Sequence, residues 1–309
     1  MKCSILIVTY NAKEYTQVCL QHLFAEPWKD LELILFDNLS NDGVREVVAS
    51  YAGKDWVKTF LSQENLGFAL GNNAAAKMAE GEYLFLLNPD TEISPTEINK
   101  LVAYLDANPK VGVVGPKIYD ADGLVQESYG FAMTLGSEVI GKIFGSIYIQ
   151  SLPLVRSVRM RWLDKQEISP VGWIGGAALM IRRDLFERLG GIDPNFFYSA
   201  GDMVDLCASV KKMGFEVMFY PGATMKHKGG ASTAKNKVAA LDRSLAGTLY
   251  FFRKHYAYRG YLALKVVYIA ISLVKSLIAT VLSVVNYRKF WPIAVSHGVA
   301  VWRLISGRL

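Results

Sequence analysis

Cysteine is scarce in this 309-residue chain, with Cys3, Cys19 and Cys207 as the whole supply. Three cannot all pair, and none has a partner at metal-ligand spacing, so a disulfide framework and a cysteine zinc site are excluded. Buried, reduced thiols of a cytosolic protein are the expectation. A secretory leader is missing from the pattern as well. The opening MKCSILIVTY sets one lysine before an apolar run that stops at TYN, too short for a signal peptide and too β-branched for a helix. It reads as a buried first strand. No internal repeat or low-complexity tract stands out. Acidic residues nearly vanish toward the end of the chain. From residue 241 onward ten Lys and Arg stand against one acid, Asp242, whereas residues 1–240 hold 24 basic and 27 acidic residues. A slightly acidic body therefore carries a strongly basic, apolar tail.

What is present is enough for a sizeable core, because 51% of residues are hydrophobic and only 20% are charged. SILIVT (4–9) and LELILF (31–36) are apolar runs of strand length, separated by KEYTQVCLQHLF with helical spacing. That is a β-α-β unit, and strands buried on both faces explain the unbroken apolar runs. A second unit follows in VKTFL (57–61), a helix over 67–79, and EYLFLLN (82–88). The alternation predicts an α/β, doubly wound, mainly parallel sheet with ligand loops at the carboxyl ends of its strands. Residues 132–168 are poorly patterned and their structure is left open.

Polar clusters follow the strands. FDNLSNDG holds Asp37, Asn38 and Asp42, either an Asx-rich turn capping a helix or a carboxylate placed to pair with a pyrimidine ring N–H. ENLGFALGNNAAA holds Asn65, Gly67, Gly71, Asn72 and Asn73. Its glycines permit close backbone approach and its helix start can face phosphate, with ordinary packing as the alternative. LLNPDT sets Asp90 just past a strand, as a helix-capping turn or as a single carboxylate for Mg²⁺ bridging a diphosphate. KHKGGAS surrounds His227 with lysines and glycines, a cationic loop suited to a phosphate or a metal-bound phosphate.

Taken in order, SILIVTYNAKEY, FDNLSNDG, ENLGFALGNNAAA, GEYLFLLNPDTEI, VGVVGPKIYDADG, GWIGGAALMIRRDLFERLGGIDPNFF and HKGGAS resemble the family 2 glycosyltransferases of GT-A fold, especially bacterial rhamnosyltransferase-like members. The resemblance covers about residues 3–233. It implies an inverting, metal-dependent transfer, best read as L-rhamnose from dTDP-rhamnose, onto a lipid-linked glycan in surface polysaccharide synthesis. Thr9, Tyr10 and Asn11 would line the nucleotide pocket, with Asp37 on the base, and Asn38, Asn65, Gly67, Asn72 and Asn88 along the same donor side. Asp90 and His227 would hold Mg²⁺ or Mn²⁺, although the metal motif has Asn88 where many members carry a first aspartate. Trp173, Gly175 and Gly176 fall where the acceptor approaches. The reaction needs no covalent enzyme intermediate, so the lack of a Ser-His or Cys-His pair is no objection.

The base is read by register. Members usually show Phe-Phe, three residues, Glu-Asp and Val-Asp-Leu. Anchoring on Phe196 and Phe197 puts Asp202 on the base and Gly201 on the usual glutamate. Anchoring on Asp205 and Leu206 instead puts Met203 there, and a thioether cannot accept the proton. Asp202 is therefore the expected base, and Asp205 the first residue of the helix DLCASVKKMG, where a carboxylate suits the N-terminus in any case.

The domain reading is a GT-A catalytic body over 1–238 and a basic helical tail over 239–309. Residues 262–285 could span a bilayer by length, but Lys265, Tyr268, Ser272, Lys275, Ser276, Thr280 and Ser283 form one polar stripe. An amphipathic helix lying in the interface fits that stripe unless a partner covers it. FWPIAVSHGVAVWRLI repeats the theme, and burial of both faces in a homo-oligomer is the alternative. The expected location is the cytoplasmic face of the cell membrane, peripheral or monotopic. Nucleic acid is not an expected partner, since the basic residues sit among apolar segments. Two rivals remain: a nucleotidyltransferase, for which TYNAKEY is a poor phosphate loop, and a catalytically impaired sugar-binding or scaffold subunit, suggested by Gly201 and Asn88.

Overall fold

The structure, a computed structural model, describes residues 2–144, 164–196, 201–229 and 237–307. Its contacts divide the chain into two units, one within Met1–Ala132 and Ser157–Asn236, the other within Met133–Arg156 and Lys237–Leu309.

The first unit opens with β1 (Cys3–Thr9), α1 (Lys13–Leu23), β2 (Leu31–Asp37), α2 (Val44–Ser50), β3 (Val57–Leu61), α3 (Gly67–Ala76) and β4 (Tyr83–Leu87). It continues through β5 (Thr91–Glu92), α4 (Pro95–Ala107), β6 (Val111–Tyr119) and β7 (Tyr129–Gly130). Beyond α5 (Leu135–Phe144), which belongs to the second unit, come β8 (Ser169–Pro170), β9 (Trp173–Ile174), β10 (Ala178–Arg182), α6 (Arg183–Arg188), α7 (Asp202–Lys212) and β11 (Glu216–His227). The main sheet has the order β3-β2-β1-β4-β10-β6-β11-β5, with β8 also on β11. β1, β2, β3 and β4 pair in parallel, as do β6 and β11, while β10 runs antiparallel between β4 and β6. A separate two-stranded sheet joins β7 to β9.

Alternation along each strand builds two cores, because successive side chains leave opposite faces. Ile5, Ile7, Leu33 and Leu35 meet Cys19, Leu20 and Leu23 of α1 and Ile98, Leu101 and Leu105 of α4 on one side. Leu6, Ile34, Leu84 and Leu86 meet Ala69 and Ala75 of α3 and Leu206 and Val210 of α7 on the other. Both faces are covered, which is why the strands read as unbroken apolar runs. All three cysteines are free and fully buried, Cys3 and Cys19 in the first core and Cys207 in the second.

Helix α7 starts at Asp202, one turn earlier than its apolar spacing suggested. The Asp205 amide donates to the Gly201 carbonyl at 2.7 Å, and the buried stripe Met203, Leu206, Cys207, Val210 extends back through that turn. Both acids thus occupy the first turn, where the helix end favours negative charge. Phe197, which with Phe196 sets the register of the base, and Gly230 of the HKGG motif lie outside the described residues.

In the second unit, α8 (Lys237–Ser283) is interrupted at Ala257 (φ 57°, ψ −170°) and leads through three residues into α9 (Tyr287–Ser306). The two pack as a helical hairpin around Leu264, Tyr268, Ala279, Ala294 and Leu304. The Tyr268 hydroxyl donates to Glu138 of α5, and Ser276 Oγ donates to the Ala294 carbonyl at 3.0 Å. Part of the polar stripe expected to face lipid headgroups is therefore turned inward onto α5 and α9. Branched apolar side chains are left outside: Leu273, Val274, Leu277, Ile278 and Val281 on α8, and Val295, Val299 and Ile305 on α9, with Trp291 and Trp302 beside them. Among the described residues one helix, Leu245–Ser283, is long and apolar enough to cross a membrane.

Candidate active site

The loops after β1, β2 and β3 are laced together by side chains. Asn11 takes positive φ (48°), its amide donates to Ser40 Oγ at 2.9 Å, and its Oδ1 accepts the Asn41 amide at 2.8 Å. Thr9 is buried with its hydroxyl 2.8 Å from that of Thr16, whereas Tyr10 beside it is half exposed. Asn38 is a three-way staple. Its Nδ2 donates to Asn65 Oδ1 (3.1 Å) and the Gly67 carbonyl (3.2 Å), and its Oδ1 accepts the Leu66 amide (2.8 Å). Gly67 opens α3 at φ +74°, a conformation in which a side chain would be strained. Asn72 lies within α3, its Nδ2 donating to the Phe68 carbonyl at 2.9 Å, so that donor serves the helix.

Asp37 ends β2 fully buried. Its Oδ2 accepts Arg45 Nη1 at 2.6 Å, and the Ser40 amide lies 3.3 Å from both oxygens. Arg45 also donates to the Ser62 carbonyl at 3.0 Å, tying β2 to the end of β3. Arg45 has no signal in the sequence beyond helical spacing, and sequence reasoning passed over it.

The second cluster lies at the ends of β4, β6 and β11. The Asn88 amide donates to the Ala177 carbonyl at 3.0 Å, which fixes the loop after β4 beside Gly176. A Cβ on Gly176 would sit 3.3 Å from both Met203 Cγ and Phe68 Cζ. The first turn of α7, the start of α3 and the β9–β10 loop therefore converge where Asn88 enters. Gly175 donates to the Ser128 carbonyl at 2.8 Å, and Trp173 lies so close to β7 that a Cβ on Gly130 would be 2.3 Å from its ring.

Asp90 and His227 are far apart in sequence and meet because β5, immediately after Asp90, pairs with the end of β11, Thr91 opposite His227. Asp90 Oδ1 stands 3.2 Å from His227 Nε2, with both side chains mostly buried. Adjacent corners of an octahedron with bonds of about 2.1 Å lie roughly 3 Å apart, so this spacing fits two ligands on one divalent ion. Among the described residues no third His, Cys, Asp or Glu joins them. Two protein ligands would leave most of such an ion's shell to phosphate and water.

Asp202 has a buried carboxyl, whose Oδ1 accepts the Met203 amide at 2.7 Å. Burial raises its pKa above the ordinary aspartate value, the amide bonds oppose the rise, and the nearby Asp205 charge adds to it. A carboxylate so destabilised is a stronger base than a solvated one.

An open α/β sheet with this order, one antiparallel strand beside the central parallel ones and its polar loops on one edge, is GT-A architecture. The mannosyltransferase PcManGT from Pyrobaculum calidifontis, solved with GDP-Man and Mn²⁺, superposes with a TM-score of 0.56 at 16% identity over 97% of this chain and 87% of its own. S. aureus TarS 1-349 with UDP-GlcNAc does so at 0.55 and 13% identity over 99% and 92%. The profile of "Glycosyl transferase family 2" matches residues 4–189, and the chain belongs to that family. It is 27% identical over 259 residues to the N-acetylglucosaminyl-diphospho-decaprenol L-rhamnosyltransferase of Mycobacterium tuberculosis, covering 80% of this chain and 82% of the relative.

Proposed function

We propose that this glycosyltransferase moves a sugar, L-rhamnose from dTDP-rhamnose in the first instance, onto a polyprenyl-linked glycan in surface polysaccharide synthesis. It does so at the cytoplasmic face of the membrane with inversion. The observation that carries the reading is the Asp90–His227 pair, brought together by β5 and β11 in a chain of this family. The relationship to the Mycobacterium tuberculosis enzyme supports the choice of sugar and acceptor.

In this reading residues 1–238 are the catalytic domain and 239–309 the membrane-associating tail. Thr9, Tyr10, Asn11, Asp37, Asn38, Asn65, Gly67, Asn72 and Asn88 serve the nucleotide side, some by touching it and others by bracing the loops. Trp173, Gly175 and Gly176 receive the acceptor. Asp202 takes the proton of the acceptor hydroxyl as its oxygen bonds to the anomeric carbon, while the bond from that carbon to the diphosphate oxygen breaks. Asp90 and His227 would hold a Mg²⁺ or Mn²⁺, which would supply charge neutralisation for the departing diphosphate. The exposed apolar face of the hairpin, flanked by basic residues, supports docking on an anionic bilayer from which the acceptor arrives.

The test is a donor panel. Full-length protein with Mn²⁺ or Mg²⁺ is given each nucleotide sugar, and nucleoside diphosphate release is measured with and without a polyprenyl-diphosphate-linked acceptor. Acceptor-dependent release with dTDP-rhamnose is expected. Release only with another donor overturns the choice of sugar, and donor binding with no release supports the scaffold reading.

A further inference from the structure

We propose that Gln126 is a positioning residue that fixes which nitrogen of His227 faces Asp90, an inference that rests on reading Asp90 and His227 as the metal pair. Gln126 arrives by a tight turn. Asp120 Oδ1 accepts the amides of Asp122 (2.9 Å) and Leu124 (2.8 Å), and Gly123 supplies φ +80°. The chain then doubles back on β6, the Gln126 amide donating to the Ile118 carbonyl at 2.9 Å. Because β6 and β11 run side by side, Ile118 beside Met225, the returning Gln126 side chain reaches His227.

It grips that residue at two points. Gln126 Nε2 lies 2.8 Å from the His227 carbonyl, and Gln126 Oε1 lies 2.9 Å from His227 Nδ1. A backbone carbonyl only accepts, so the amide nitrogen of Gln126 belongs on that side and its oxygen on the ring. An amide oxygen also only accepts, so Nδ1 carries a proton. Neutral His227 is thereby held in the Nδ1–H tautomer, with the lone pair of Nε2 directed at Asp90 Oδ1, 3.2 Å away. In that tautomer two lone pairs face each other and repel, unless a metal ion lies between them or Nε2 takes a proton and donates it to Asp90. Gln126 does for this histidine what second-layer partners do for metal-bound imidazoles generally, where their loss lowers metal affinity by about 10–100-fold.

The experiment uses full-length protein with ¹⁵N-labelled histidine, recorded at alkaline pH, where the ring ¹⁵N shifts show charge and tautomer together. His227 is assigned from the His227→Ala spectrum. Wild type should show protonated Nδ1 and bare Nε2, and Gln126→Met, nearly isosteric, should move the ring toward the Nε2–H form. Gln126→Glu, which still accepts from Nδ1, should retain the wild-type tautomer. Binding of Mn²⁺ in the presence of inorganic diphosphate, followed by electron paramagnetic resonance, should weaken by about 10–100-fold in Gln126→Met and recover in Gln126→Glu. An unchanged tautomer in Gln126→Met, or an Nε2–H ring in Gln126→Glu should Gln126→Met not fold, overturns the role of Gln126. Mn²⁺ binding unaffected by His227→Ala overturns the metal reading beneath it.

Discussion

At the scale of single residues, Asp202 carries opposite signs for activity and stability. Its folded pKa lies above its unfolded one because of burial, so the native state takes up a proton more readily than the unfolded chain. Stability then falls as pH rises from the unfolded to the folded pKa, and the full cost of a buried charge persists above that window. Asp202→Asn removes the charge. It should raise the melting temperature at neutral pH while lowering transfer by about 10²–10⁴-fold with donor affinity intact. The acid limb of the wild-type rate profile should lie above the ordinary aspartate range. Near-normal turnover by Asp202→Asn would remove it from the role of base. The sequence made the types of these residues legible but not their partners. Asp37 was visible as a strand-end carboxylate, whereas its closure by Arg45 depends on how α2 lies against β2 and β3.

At the scale of elements, the long strands and helices were readable because periodicity is repeated over many residues. The shortest pieces were not. β5, β7 and β9 have two residues each, no pattern can accumulate in two positions, and yet β5 is what brings Asp90 to His227. The β7–β9 pair has a comparable role for Trp173. A Cβ on Gly130 would stand 2.3 Å from the indole and 2.4 Å from its Nε1, and a ring cannot bend away as a flexible chain does. Gly130→Ala should displace Trp173, lowering acceptor kcat/KM by up to about 10²-fold while donor hydrolysis stays unchanged. Unaltered acceptor kinetics would separate Trp173 from acceptor approach.

At the scale of the whole molecule, the division of charge between an acidic body and a basic tail was plain from composition, and so was the apolar character of the tail. The direction of the polar stripe was not, because it is set by α5, a helix from an unpatterned stretch far earlier in the chain. With Tyr268 and Ser276 engaged inside the hairpin, the faces left outside are aliphatic. Leu277→Glu together with Val281→Glu should leave the fold intact and reduce vesicle partitioning by about tenfold or more per site, given about 1.5–3 kcal/mol for burying such a side chain. Co-sedimentation with anionic vesicles reads this directly. Undiminished partitioning of the double variant would turn the hairpin face toward a protein partner.

The three buried thiols have a practical consequence. Burial pushes Cys19 and Cys207 up to about 12 and raises Cys3 as well, so thiolate, the reactive form, is scarce at each. The native chain should consume no Ellman reagent over the time in which a denatured sample consumes three equivalents. A cysteine introduced at Val285, which is 85% exposed at the turn of the hairpin, would then be the sole point of maleimide attachment without removing any native cysteine. A fluorophore placed there gives a wild-type-like enzyme that reports, by quenching from lipid-borne labels, how deep its own tail sits.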